Sequence, residues 1–308
     1  MALEPEIAQL LAQLRDMPAL DQLAPADARA IVGAMERVAA AGPELRRIEV
    51  QSVPTPAGNV PVRIYHAVER PRGLIVFFAG GGWVLGNLDT SDAFLRRFAL
   101  QTQCCIVTVE YRHAPEHRFP AAVIDASHAV AWAARSCEAL TGVRLPLIVA
   151  GESAGGNLAA VTAILARDAG TPNIAGQLLL YPVTDAAFDT PSYRDNAEGY
   201  FLTRDTMRWF WSHYVPALEQ RSDFRAAPLR ASNLGGLPPA LVQTAEFDPL
   251  RDEGEAYAQR MMQEGTPVTV QRRAGIIHSY TGMTEFSPGA RAAIEDAARW
   301  VTGICSES

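Results

Sequence analysis

The stretch 147-LIVAGESAGGNLAAVTAILA-166 decides how the rest of the chain is read. It opens on an unbroken apolar run, as in a strand buried on both faces, and from Ala154 onward it is rich in alanine and leucine, as in a helix. Between the two, Gly151, Ser153 and Gly155 stand in a G-x-S-x-G frame. A sharp strand-to-helix turn that lifts a serine oxygen clear of a sheet needs glycines two residues to either side, because a Cβ there would clash inside the turn. The pattern alone is a weak signal, and a helix N-cap serine fits the same place. The surroundings must decide.

Other β-rich runs lie at 47–53, 60–66, 74–79, 104–111, 176–182, 240–247 and 267–273, in addition to 146–151. Helix-like segments separate the later ones, at about 91–102, 120–137, 154–168, 251–264 and 289–303. Two extended runs followed by alternating strand and helix predict an α/β domain, with a mostly parallel eight-stranded sheet covered on both faces. Residues 4–40 read as two helices: Ile7, Leu10, Leu11 and Leu14 share one face, and Asp27 to Ala40 is rich in helix formers after Pro25. At 183–226 an aromatic-rich insertion with one helix breaks the alternation, and its length suits a lid or pocket wall.

The 308 residues, with 48% hydrophobic and 20% charged content, suffice for one large domain with an appended lid. A formal net charge of −7 excludes nucleic acid and anionic membrane surfaces as natural partners and favours a small, neutral organic substrate. Cys104, Cys105, Cys137 and Cys305 lack metal-ligand spacing and read as buried free thiols, which suits a reducing cytoplasm. The first residues carry Glu4, Glu6 and Arg15 and make a poor secretion signal. No run reaches the ~20 apolar residues of a membrane span, so a soluble protein is expected.

If Ser153 is a nucleophile, its hydroxyl needs a base. Of the six histidines, His66, His128 and His213 fall in strand-like, helix-like and aromatic surroundings that favour structural roles. His278 lies in 274-AGIIHSYTG-282, read as a loop beyond the last strand, at the edge where open parallel sheets bind ligands. The base needs a carboxylate to hold its tautomer. In 241-LVQTAEFDPLRDEG-254 the candidates are Glu246, Asp248, Asp252 and Glu253. Asp248 stands in the loop after the strand, whereas Asp252 and Glu253 enter the next helix, where compensation of its dipole accounts for them. The order Ser153, Asp248, His278 is that of the α/β-hydrolases rather than of the chymotrypsin or subtilisin folds. An oxyanion needs donors as well: one is the N–H of Ala154, after the nucleophile, and others come from 80-GGG-82, after the third strand.

These segments resemble the bacterial hormone-sensitive-lipase-like branch of the α/β-hydrolases, a carboxylesterase family. The resemblance rests on 80-GGGWVLG-86, 111-YRHAPEHRFPAA-122, 151-GESAGG-156, 193-YRDNAEGYFLT-203 and 248-DPLRDEG-254, followed by His278, and covers nearly the whole chain. It implies a catalytic domain of residues 46–182 and 227–308, with a helical cap from residues 1–45 and 183–226. Ser153, Asp248 and His278 would form the triad, and the N–H groups of Gly81, Gly82 and Ala154 the oxyanion hole. It implies no cofactor and no metal, small or medium ester substrates, and a homodimer formed through the last strand and helix. Amidase, deacetylase or lactonase activity from the same triad is the alternative, followed by a non-catalytic ligand-binding role.

Two residues depart from the family pattern. Ala79 stands where a histidine usually braces the glycine loop through its side chain, and His113 stands where leucine is usual, which makes His113 the expected substitute brace. Trp83, Tyr193, Tyr200, Phe201, Trp209, Phe210 and Trp211 are candidates for an apolar pocket wall.

Overall fold

The structure, a computed structural model, describes residues 2–38 and 41–307. After helices α1 (Pro5–Leu14) and α2 (Pro25–Val38), the chain forms β1 (Arg47–Thr55), β2 (Gly58–His66), β3 (Leu74–Phe78), α3 (Asp92–Thr102), β4 (Cys105–Val109) and α4 (Ala121–Thr141). There follow β5 (Leu147–Glu152), α5 (Ala154–Ala169), β6 (Gly176–Leu180), α6 (Pro191–Asp195) and α7 (Arg204–Tyr214). β7 (Ala240–Phe247), α8 (Arg251–Gln263), β8 (Val268–Ile277) and α9 (Pro288–Glu307) complete it. Positions 39 and 40 of the second expected helix lie outside the described residues.

All eight strands join one sheet in the order β1-β2-β4-β3-β5-β6-β7-β8. β2 runs antiparallel to both its neighbours, and the other pairs are parallel. Strand alternation divides the core into two layers. Leu74, Val76 and Phe78 of β3 face one layer with α4, α5 and α8, while Ile75 and Phe77 face the other with α3, α9 and Ile7 of α1. Both faces being covered, β3 to β6 are buried along their whole length, which is why these runs lack polar alternation.

The departures from expectation are local. β8 continues to Ile277 instead of ending near Arg273. Gly275, at φ +73°, bends it, and the pairing shifts so that Ala245 faces Arg273 while Phe247 faces Ile277. A glycine inside a strand marks such an irregularity; the sequence alone reads it as the strand's end. α4 runs on to Thr141, where Gly142 closes it in the left-handed conformation. The insertion holds two helices, α6 and α7, rather than one. No helix among the described residues is long and apolar enough to cross a membrane.

The sheet order matters most at its carboxyl edge. β3 lies beside β5 with Phe78 opposite Gly151, so the glycine-rich segment emerges next to Ser153. β7 and β8 end on the same edge, one and two strands beyond β6.

Candidate active site

Ser153 occupies the N-cap position of α5 but makes no capping hydrogen bond; its backbone, at φ 54° and ψ −122°, sits in a conformation costly for a residue with a Cβ. The strain is held by neighbours. The Ser153 N–H donates to Leu180 O at 2.9 Å, and Ser153 O accepts from the N–H groups of Asn157 and Val183, each at 3.1 Å. A Cβ on Gly151 would lie 2.2 Å from Gly155 O, and one on Gly155 would lie 1.9 Å from Phe78 O. Both glycines of the pentapeptide are therefore sterically required, and the N-cap reading of Ser153 is set aside.

His278 follows β8 directly and Asp248 follows β7 directly, so both point into the same edge as Ser153. His278 Nε2 lies 2.9 Å from Ser153 Oγ, and its Nδ1 lies 2.7 Å from Asp248 Oδ2. Asp248 is fully buried; its other oxygen accepts the Leu250 N–H at 2.9 Å. A carboxylate held on one side by a backbone N–H and aimed on the other at an imidazole fixes that ring's orientation.

The remaining carboxylates of this segment are used elsewhere. Glu246 accepts the Gly275 N–H at 2.8 Å. Asp252 accepts the Ser192 N–H at 2.7 Å, and Glu253 accepts those of Thr184 at 2.7 Å and Asp185 at 3.2 Å. Dipole compensation is thus not what Asp252 and Glu253 chiefly do: they tie α8 to the start of the insertion. Glu253 is almost fully buried, and that burial pushes its carboxyl well above the usual range. From the insertion, Asn196 Nδ2 donates to the carbonyls of Glu246 and Asp248, and Ser192 Oγ to that of Pro249. These anchors of the Asp248 loop escaped the sequence reading; the signal was present in the polar residues of 192-SYRDN-196 but lacked a visible partner.

The glycine segment turns sharply, with Gly81 at φ +113° and Gly82 at φ +60°, and Gly81 O accepts the N–H groups of Val84 and Leu85. A Cβ on Gly80 would stand 3.2 Å from Ser153 Cβ. The N–H groups of Gly81 and Gly82 have no acceptor among the described residues. What holds this segment is not His113. That ring makes no hydrogen bond among the described residues; it packs on Tyr111 at 4.9 Å, and burial lowers its pKa to about 4. The direct support is Tyr111, whose hydroxyl donates to Ala79 O at 2.8 Å. A second comes from Arg29 of α2, donating to Val84 O at 2.8 Å and Ala114 O at 2.7 Å while paired with Glu116. Stacking of Trp83 on Tyr214 at 4.2 Å adds a third.

Tyr111→Phe should therefore leave a buried carbonyl short of its partner, which costs about 1 to 3 kcal/mol and lowers Tm by about 2 to 5 °C. An unchanged thermal transition would remove Tyr111 as the brace.

The aromatic candidates separate by burial. Trp83, Tyr193 and Trp211 are wholly inside the core. Phe210 packs on the glycine segment, its ring 2.1 Å from where a Gly82 Cβ would be. Tyr200 stacks on Phe247, next to Asp248, at 5.0 Å, and Phe201 is 46% exposed. Of the four cysteines, Cys104, Cys105 and Cys137 are buried, whereas Cys305 is only half-buried; all are free. No group of side chains with metal-binding arrangement occurs among the described residues.

Comparison with known proteins agrees with this fold. Residues 75–282 match the family described as alpha/beta hydrolase fold. The chain is 40% identical over 238 residues to carboxylesterase NlhH of Mycobacterium tuberculosis, covering 75% of this chain and 74% of that protein. A thermostable esterase from Pseudomonas putida superposes with a TM-score of 0.92 at 39% identity, covering 99% of this chain and 98% of the other. An esterase from Pyrobaculum calidifontis gives a TM-score of 0.93 at 35% identity, covering 98% and 99%.

Proposed function

Since this chain belongs to the alpha/beta hydrolase family and is similar to several esterases, we propose that it is a serine carboxylesterase of the hormone-sensitive-lipase-like branch. The observation that carries the reading is the relay from Asp248 through His278 to Ser153, at 2.7 and 2.9 Å, on a strained strand-to-helix turn.

In this reading His278 carries its hydrogen on Nδ1, toward Asp248, leaving Nε2 free to take the Ser153 proton as Oγ attacks the ester carbonyl. The carbonyl π electrons move to oxygen, and the N–H groups of Gly81, Gly82 and Ala154 hold the oxyanion. Collapse expels the alkoxide, which leaves as the alcohol with the proton from His278. Water, deprotonated by the same nitrogen, then attacks the acyl-enzyme, and the acid is released as Ser153 Oγ departs and takes the proton back from His278. No cofactor or metal is needed for any of these steps.

Helices α1 and α2 together with residues 183–226 form a cap in this proposal. Its support is that α2 reaches the glycine segment through Arg29 while the insertion supplies Phe210 to the same segment and Asn196 to the Asp248 loop. The Phe210 ring against Gly82 favours short to medium acyl chains. A homodimer through β8 and α9 and a location in the reducing cytoplasm, suited to four free thiols, belong to the same proposal.

The test is a p-nitrophenyl ester series from acetate to decanoate, run beside the matching anilides and a lactone, with mass spectrometry after a fluorophosphonate probe. Ester turnover is expected to peak at acetate to butyrate, with one probe molecule on Ser153. Faster amide or lactone turnover would reassign the substrate class, and labelling elsewhere would remove Ser153 as the nucleophile.

A further inference from the structure

Glu152 stands immediately before Ser153 at the end of β5, only 7% exposed, and takes no part in the chemistry above. A buried carboxyl group is stable only when its oxygens are hydrogen-bonded, so the identity of its partners is informative. Among the described residues there are three, and each comes from a different segment of the candidate active site.

Ser91 closes the loop that begins with the glycine segment; instead of capping α3, its hydroxyl donates to Glu152 Oε1 at 2.7 Å. Tyr181, the first residue after β6, and Thr281, three residues beyond His278, both place hydroxyls on Oε2. Those two hydroxyl oxygens are themselves 2.5 Å apart. We infer that Glu152, Tyr181 and Thr281 are positioning residues that lock the His278 loop to the nucleophile turn. Ser91 extends the lock to the loop leaving β3.

Tyr181 adds an independent restraint. Its ring meets the His278 imidazole edge-on at 4.7 Å and Tyr280 at 4.7 Å. Its own backbone has φ +37°, a conformation an aromatic residue adopts only when its surroundings enforce it. The Tyr181 N–H, held by Gln243 O at 2.6 Å, is part of that enforcement. The two hydrogen bonds of His278 lie in the plane of its ring and leave rocking out of that plane unrestrained, and the Tyr181 ring opposes that motion. A base that must serve first Ser153 and then the leaving alcohol needs this control, since a misplacement of about 1 Å costs on the order of a hundredfold in rate.

The inference rests on the serine hydrolase reading for its kinetic test but not for its spectroscopic one. Thr281→Val removes the hydroxyl at nearly constant shape, Thr281→Ser keeps it, and Tyr181→Phe keeps the ring while removing its bond to Glu152. Thr281→Val and Tyr181→Phe are expected to lower kcat for p-nitrophenyl butyrate by about tenfold or more, with KM within about twofold. Thr281→Ser should retain wild-type kcat. The low-field proton resonance of His278 Nδ1–H should shift or broaden in Thr281→Val and Tyr181→Phe and stay in place in Thr281→Ser.

Wild-type kcat and an unmoved resonance in both hydroxyl-lacking variants would overturn the inference. So would equal losses in Thr281→Val and Thr281→Ser, because packing rather than the hydroxyl would then be at work. If the wild type hydrolyses no ester, the proposed function falls and the resonance alone decides the positioning role. If Thr281→Val does not fold, Tyr181→Phe decides it.

Discussion

Ser153→Ala is expected to reduce kcat for p-nitrophenyl butyrate by about four to six orders of magnitude, the scale seen when the nucleophile of a serine hydrolase is removed. KM should change little, because the Phe210 ring and the N–H groups of the glycine segment remain. The fold should also remain: alanine keeps the Cβ, so the turn at φ 54° is no more strained than before, and the N–H and C=O bonds to Leu180, Asn157 and Val183 are untouched. The measurement is steady-state turnover with circular dichroism on the same preparation. A folded variant within a hundredfold of wild type would show that another group does the chemistry.

Asp248→Asn should cost nearly as much, about four orders of magnitude in kcat, by a different route. Asp248 is fully buried, with one oxygen on the Leu250 N–H at 2.9 Å and the other on His278 Nδ1 at 2.7 Å. An asparagine that keeps its oxygen toward Leu250 turns its NH2 toward His278. That NH2 donates to Nδ1 and drives the imidazole proton to Nε2, where it faces the Ser153 hydroxyl and can no longer accept from it. The opposite rotamer sets NH2 against the Leu250 N–H and loses a buried bond. The rotamer that keeps the Leu250 bond therefore disables the base without disturbing Ser153, so a fluorophosphonate should still label the variant, only far more slowly. Turnover within tenfold of wild type would contradict the tautomer argument.

Legibility in the sequence followed from how local each constraint was. The G-x-S-x-G turn was readable because its steric demands fall within five residues: Gly151 and Gly155 exclude a Cβ for reasons internal to the turn and the neighbouring strand. That Asp248 and His278 fall at one edge was readable because Asp248 follows one strand and His278 lies shortly beyond the next, and strand ends in a parallel sheet share one edge. The same reasoning misplaced the end of β8, since a glycine at φ +73° within a strand looks like a strand terminus when the partner strand is unseen.

Supports made between distant segments were not readable. Nothing in the helix-forming run around Arg29 says that its guanidinium caps the carbonyls of Val84 and Ala114. Asp252 and Glu253 at a helix start satisfied a local explanation, yet their oxygens go to backbone N–H groups 60 and 69 residues away in sequence. The expectation that His113 replaces the missing histidine failed for a related reason. It considered side chains that could stand in for an imidazole, whereas the segment is held through its carbonyls, by Tyr111 at Ala79 and by Arg29 at Val84.

The sequence by itself determined the class of fold, the strand-to-helix turn at Ser153, and the order in which Ser153, Asp248 and His278 occur. Periodicity and glycine sterics are properties of short stretches, and they survive without knowledge of neighbours. Only the tertiary structure decided which aromatic residues are core and which face the glycine segment, what holds that segment at Ala79, and that Glu152 gathers Ser91, Tyr181 and Thr281. Those outcomes depend on which loops the strand order β4-β3-β5-β6-β7-β8 brings to one edge. A buried polar atom must find a partner there, whatever its distance along the chain.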